Sequence, residues 1–343
     1  MKALLLKEYK QLEIAEMPDP QPGSDEVLVR VKACGICGSD VHGYDGSTGR
    51  RIPPLVMGHE ASGIVQSTGA GVRDFRPGDR VTFDSTVYCG KCWHCRSGNI
   101  NLCDNRNVLG VSCGDYRRHG AFAELGAVPK HIVYRLPNAL TFEQAAMLEP
   151  ISIAFHAVNI APKKLGDCVV VVGAGLIGQL VIQTMRSAGC GKLIAVDVDE
   201  ARLSIASSFG ADLVLNALSD NVVARIREET RGLGADIAFE VVGAEASFNT
   251  AVGCLRKGGV VTLIGNLSSK VEMPLQQVVT RQLSLLGSCA SSGEYPACID
   301  LVARGIIDVR PLISACAPLA EGPGWFERLY RRDPGVMKVI LIP

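Results

Sequence analysis

Charge bias is the first thing this 343-residue chain lacks, since 35 Lys and Arg stand against 35 Asp and Glu. With no net field to gather polyanions, nucleic acid and anionic membrane are excluded as partners. An export signal is missing as well. The opening MKALLLKEYK has a short apolar run that Lys7 and Glu8 cut off, too short for a signal-peptide core. The most apolar segment, Cys168–Met185, approaches spanning length but holds three glycines, Gln179, Gln183 and Thr184. Those residues suit a buried strand, a turn and a helix better than a membrane span. Internal repeats and low-complexity tracts are absent too. What remains is a chain with 47% hydrophobic and 20% charged residues, long enough for two domains with separate cores. A cytoplasmic protein is expected.

Cysteine, by contrast, is plentiful. There are 13 of them. Cytoplasmic thiols stay reduced, so these do not read as a disulfide framework and some should bind metal. Cys89, Cys92, Cys95 and Cys103 follow C-x2-C-x2-C-x7-C. CxxC steps let thiolates reach one tetrahedral ion at about 2.3 Å, and four of them close the shell against substrate. An iron–sulfur run would bring its fourth Cys about four residues on and follow it with Pro. Here Asp104 follows Cys103, and zinc is the better fit. This cluster is expected to be a structural clamp, with the chemistry elsewhere.

Two patterns divide the chain. Up to about residue 150, short alternating strands such as EVLVRVKA (Glu26–Ala33), SGIVQSTG (Ser62–Gly69) and GDRVTF (Gly78–Phe83) are separated by turn signals such as Pro22-Gly23 and Pro77-Gly78. They predict a β-rich, barrel-like domain. From Asp167 onward, Val- and Ile-rich strands alternate with helical segments, which predicts a parallel sheet covered on both faces. After LSLLGS (Leu283–Ser288) come a helix near Tyr295–Arg304 and a final strand, MKVILIP.

The first strand of the second pattern runs into Gly173-Ala174-Gly175-Leu176-Ile177-Gly178. GxGxxG alone is a weak signal, but here it follows a buried strand and opens a helix. The glycines permit a tight turn, close approach to a pyrophosphate and helix–strand packing, while the helix N-terminus favours phosphate charge. Asp197 ends the next strand, nineteen residues past Gly178. Its carboxylate can accept hydrogen bonds from the adenosine ribose hydroxyls and would repel a 2′-phosphate, so NAD is expected rather than NADP. Arg202 near this edge is the counter-signal.

Residues able to break a bond lie in the first domain: Cys34, Cys37, Ser39, Asp40 and His42 in CGICGSDVHG, His59 and Glu60 in MGHEASG, and Glu149 in MLEPIS. An open zinc site needs about three protein ligands and a free position. Cys37, His59 and a carboxylate would provide them, although spacing alone does not single them out. Taken together, Gly35–His42, Gly58–Glu60, Cys89–Cys103, Met147–Pro150 and Gly173–Gly178 occur in an order that resembles the zinc-dependent medium-chain dehydrogenases. Glu149, in place of a zinc-binding Cys, makes the chain similar to the polyol branch, which includes sorbitol, L-iditol and galactitol-phosphate dehydrogenases. The resemblance covers nearly the whole chain.

It implies an α/β protein with a GroES-like catalytic domain (1–151 and 288–343) and a Rossmann coenzyme domain (152–287). It further implies two zinc ions per chain, NAD, and a homodimer or homotetramer. Cys37 and His59 match the constant catalytic-zinc ligands, with Glu60 or Glu149 as the carboxylate, directly or through water. Asp40 would orient His59. Cys34 is read as structural. Zinc would act as a Lewis acid on a secondary alcohol, Ser39 would take the hydroxyl proton, and His42 would pass it to solvent by way of the nicotinamide ribose. A water held by Glu149 is a competing relay.

The substrate expected is a polyol or sugar alcohol, phosphorylated or not, with threonine or a vicinal diol as the alternative. Sorbitol itself is disfavoured, because GSCASSGEYP (Gly287–Pro296) lacks the Arg-Tyr pair of sorbitol dehydrogenases. Tyr44, Phe122 and Tyr295 are candidate pocket or core aromatics, and Arg117 and Arg118 candidate phosphate contacts. Readings from other classes are a non-catalytic zinc- and NAD-binding protein and an iron–sulfur electron carrier. Colour and metal analysis separate them.

Overall fold

The computed structural model describes residues 1–343, which form two compact units. Met1–Glu149 and Ser292–Pro343 make the first, and Pro150–Ser291 the second. The sequence places these breaks at 151/152 and 287/288.

In the first unit the strand Glu26–Gly35 organises a mostly antiparallel sheet. It pairs along most of its length with Glu60–Thr68. On its other side Leu125–Pro129 lies beside its first half, and Lys338–Ile342 beside its last two residues. Its alternating Val and Leu side chains are buried, each contributing on the order of 2 kcal/mol against exposure. The register sets Gly35 opposite Glu60 on one side and Ile340 on the other, so the C-terminal strand reaches the start of the Glu60 strand. Two elements go beyond the sequence expectation. Lys2–Glu8, Gln11–Glu16 and Leu55–Val56 form a separate three-stranded sheet. The segment Gly322–Tyr330 is a helix whose Phe326 enters the core beside Phe122.

The second unit is a six-stranded parallel sheet with the order Leu213–Asn216, Leu193–Asp197, Val169–Val172, Ala235–Glu240, Leu255–Leu263, Ser284–Gly287. Counted along the chain that order is 3-2-1-4-5-6, the doubly wound arrangement whose ligand sites open at the strands' carboxyl ends. Val169–Val172 lies near its middle and is buried throughout, which is why it reads as an unbroken apolar run. No helix is long and apolar enough to cross a membrane.

Candidate functional site

The first unit brings two sets of metal-competent side chains together. Ligand atoms of Cys89, Cys92, Cys95 and Cys103 lie within 4.8 Å of one another. The chain wraps them with backbone N–H groups aimed at sulfur: Cys92 N–H to Cys89 Sγ at 3.4 Å, Cys95 N–H to Cys92 Sγ at 3.5 Å, and Asn105 N–H to Cys103 Sγ at 3.4 Å. Such donors favour thiolate, and they draw Cys89 down to about 6 and Cys92 below its ordinary value. Burial pushes Cys95 up to about 12, so an added cation is what would let all four ionise together.

Cys37, His59 and Glu60 make the second set, again within 4.8 Å. Cys37 caps the helix Gly38–Gly43, where its Sγ accepts the Ser39 hydroxyl at 3.2 Å. His59 is positioned by Gly58 at φ +93°, a position where a Cβ would lie 2.8 Å from the Phe122 backbone nitrogen. Glu60 starts its strand opposite Gly35, and a Cβ on Gly35 would lie 2.2 Å from Glu60 Oε2. Glycine there leaves the space this carboxylate fills. A thiolate, an imidazole and a carboxylate at this spacing suit zinc with a coordination place left open.

Fully buried Asp40 faces His59, with Oδ2 3.4 Å from Nδ1. Burial alone would raise the Asp40 carboxyl, but His59 and Arg51 hold it well below the usual range. Burial would lower His59, yet Asp40 and Cys37 outweigh it and raise the imidazole, so a metal here displaces a proton. Cys34 is fully buried with its thiol raised by burial and by Glu60 and Asp40, as expected of a structural Cys. Glu149 lies outside the three-ligand set. It keeps some solvent-facing area, but its dense surroundings raise it to about 8, with Glu60 and Asp84 adding to the effect and His59 opposing it.

Two participants escaped the sequence reading. Lys338, only 2% exposed, donates to Glu60 Oε2 at 2.5 Å and to the Ile36 carbonyl at 3.0 Å. Arg51, 3% exposed, holds Asp40. A lysine opening an apolar strand is a faint signal for the first. The second reads as an ordinary charged loop. Ser39 is exposed and bonds to Cys37 and Arg51 rather than to His42. His42 is exposed too, lining a cavity of about 510 Å³ with Gly38, Asp45, Tyr330 and Arg332.

The aromatic candidates divide. Tyr44 and Phe122 are core, Tyr44 through hydrogen bonds to the Lys10 carbonyl and Glu327. Tyr295 is buried and stacked on Tyr134 at 5.0 Å. Arg118 pairs with Glu26, while Arg117 is exposed.

In the second unit the glycine loop matches two of the three roles its spacing suggests. Gly173 has φ +101° in the turn, and a Cβ on Gly178 would meet the Gly173 carbonyl oxygen at 1.9 Å. A Cβ on Gly175 would meet nothing within 4 Å, so the chain's own packing does not require glycine there. Gly175 also precedes the helix Leu176–Ser187 without a side-chain cap, which leaves the N–H groups around Leu176 and Ile177 free for phosphate. Asp197 accepts Ala174 N–H at 2.6 Å, Val198 N–H at 2.8 Å and Asp199 N–H at 3.0 Å. Arg202 lies 4.0 Å from Asp197 and 3.8 Å from Asp199, between two carboxylates.

Comparison with known proteins gives the same picture. Residues 23–138 match the alcohol dehydrogenase GroES-like domain, and residues 177–304 the zinc-binding dehydrogenase family. The sorbitol dehydrogenase of Bacillus subtilis (strain 168) is 30% identical over 100% of this chain and 97% of its own. The crystal structure of galactitol-1-phosphate dehydrogenase from Escherichia coli superposes with a TM-score of 0.92 at 27% identity, covering 100% of both chains. That of 2R,3R-butanediol dehydrogenase from Bacillus subtilis does so at 0.90 and 29%, covering 100% of this chain and 99% of its own.

Proposed function

Because the chain belongs to the zinc-dependent medium-chain dehydrogenases, we propose that it moves hydride reversibly between a secondary alcohol of a polyol or sugar alcohol and NAD. The observation that carries this reading is the open set of Cys37, His59 and Glu60, three unlike donors, beside an exposed Ser39 hydroxyl. It contrasts with the closed four-cysteine set, which is the structural zinc in this proposal.

When bound, zinc supplies a Lewis acid that makes the alcohol hydroxyl acidic, and NAD supplies the hydride acceptor. The chain's residues do the rest. Cys37, His59 and Glu60 hold the metal, with Glu149 as the reserve carboxylate or the holder of a water. Ser39 Oγ accepts the hydroxyl proton. His42, on the surface, would return it to solvent by way of the nicotinamide ribose. Gly173, Gly175 and Gly178, with the N–H groups at Leu176 and Ile177, take the pyrophosphate. Asp197 would take the adenosine ribose, with Arg202 nearby and paired to Asp199.

Vicinal diols are the second reading, favoured by the likeness to the butanediol enzyme. Absorbance at 340 nm, with NAD against polyols, polyol phosphates, threonine and vicinal diols, decides. Reduction by a polyol or its phosphate supports the proposal, and reduction by threonine or diols alone replaces the substrate class. No reduction by any alcohol in protein carrying two zincs would sink it.

A cytoplasmic location and a homodimer or homotetramer complete the proposal. For the second copy the support is an exposed apolar run, Leu267, Val271, Met273, Leu275 and Val279, ahead of the sheet-edge strand Ser284–Gly287.

A further inference from the structure

Arg51 is a nearly fully buried guanidinium whose donors are almost all spoken for. Nε and Nη2 donate to Asp40 Oδ1 at 3.0 and 2.8 Å. Nη2 also donates to Ser39 Oγ at 3.1 Å, and Nη1 to the Arg50 carbonyl at 3.3 Å. One planar group thus holds two consecutive side chains of the helix Gly38–Gly43, one exposed and one fully buried. From this geometry we propose that Arg51 is a positioning residue for both halves of the alcohol site, the metal ligand and the proton acceptor, an inference that rests on the hydride-transfer reading.

The buried half runs through Asp40. Arg51 occupies Oδ1 twice over, so Oδ2 is the oxygen left to face His59 Nδ1, 3.4 Å away. An imidazole with its Nδ1–H turned to a carboxylate keeps the Nε2 lone pair for metal. The exposed half runs through Ser39. A hydroxyl has one proton and two lone pairs. Arg51 takes one lone pair, and the proton points to Cys37 Sγ at 3.2 Å. The remaining lone pair can accept a hydrogen bond from the substrate hydroxyl, and as that proton crosses to Oγ the serine's own proton leaves Cys37 Sγ for the relay toward His42.

Gly43 records the fit. It is the last residue of the same helix, a place that many side chains could occupy. Yet a Cβ on Gly43 would lie 2.3 Å from Arg51 Cγ. Lysine cannot replace the arginine fully, because an ammonium is a point donor on a flexible stem and does not span both partners.

The test compares Arg51→Met, Arg51→Lys and Gly43→Ala in the zinc-loaded protein. It reads zinc release to a chromophoric chelator, NAD affinity by calorimetry, and kcat and KM for the best alcohol. For R51M the expected result is one zinc released about 10- to 100-fold more readily, and kcat lower by a similar factor. Retention of the second zinc should stay within about twofold of wild type, since the four-cysteine site does not touch Arg51, and NAD affinity should fall less than kcat. R51K should regain zinc retention through Asp40 without regaining kcat, and G43A should resemble R51M with the arginine still present. Wild-type zinc retention and kcat in R51M overturn the proposal, as does full recovery of both by R51K. If R51M does not fold, G43A decides in the same way. Wild-type protein inactive on every alcohol would defeat the hydride-transfer reading, and the zinc-release comparison would still judge Arg51.

Discussion

Lys338 is a cation removed from water, with Glu60 and one backbone carbonyl as its hydrogen-bond partners. A buried pair of this kind adds little net stability over a well-packed apolar pair, because desolvation cancels the attraction. Removing one partner is different, since the other charge is then stranded. Lys338→Met should therefore lower the unfolding free energy of the metal-free protein by about 3–5 kcal/mol, read by urea denaturation at neutral pH. Adding Glu60→Gln to that variant removes the stranded charge and should recover part of the loss. A single variant within about 0.5 kcal/mol of wild type would mean that water reaches Glu60. Gly35 gives the same site its room, so Gly35 and Lys338, from distant parts of the chain, specify where the Glu60 carboxylate sits.

At the scale of elements, the loop Cys89–Cys103 has short helical turns at Trp93–Arg96 and Ile100–Leu102 and carries the exposed Trp93, so little apolar burial holds it. Metal must do most of that work. Cys95→Ser should reduce bound zinc from two to one per chain, with heat inactivation at lower temperature and kcat per folded molecule within about twofold of wild type. Equal loss of kcat in the folded fraction would make this loop part of the reaction. This loop was legible because CxxC spacing acts over one turn of chain, and the parallel sheet because strands buried on both faces read as unbroken Val and Ile runs. In the GxGxxG loop the turn at Gly173 and the close contact at Gly178 were legible, while Gly175 has no structural reason for glycine. The second metal set was not legible from spacing. Cys37 and His59 meet because two strands pair in one register, and only resemblance names them beforehand. Lys338 was invisible for the same reason at greater range, and Arg51, eleven positions from Asp40, because it reads as an ordinary charged loop residue. Nothing local distinguishes a charge that will be buried against a partner 278 positions away, as Glu60 is by Lys338, from one that stays in water.

For the whole molecule, the proposed cofactors divide by unit: both metal sets belong to the first, and the dinucleotide loop to the second. Each ligand can protect only the backbone whose opening destroys its own site. Hydrogen exchange read by mass spectrometry should therefore separate them. Stripping metal with a chelator should speed exchange in peptides covering 37–60 and 89–103. Peptides covering 169–178 should be unaffected. Saturating NAD should do the converse, slowing 174–178 and 197–202. At a concentration 100 times its Kd, NAD contributes about 2.7 kcal/mol, which suppresses opening of its loop about 100-fold. Slower exchange at Asp197–Arg202 matters most, because it reports the adenosine ribose end, where Asp197 already accepts three backbone N–H groups and must still take the ribose hydroxyls. If NAD protects the glycine loop and leaves that edge unchanged, Asp197 is a turn-forming carboxylate and not a ribose ligand. The preference for NAD over NADP would then lose its physical basis, and 2′-phosphate tolerance would pass to Arg202, freed from Asp199 by Asp199→Ala.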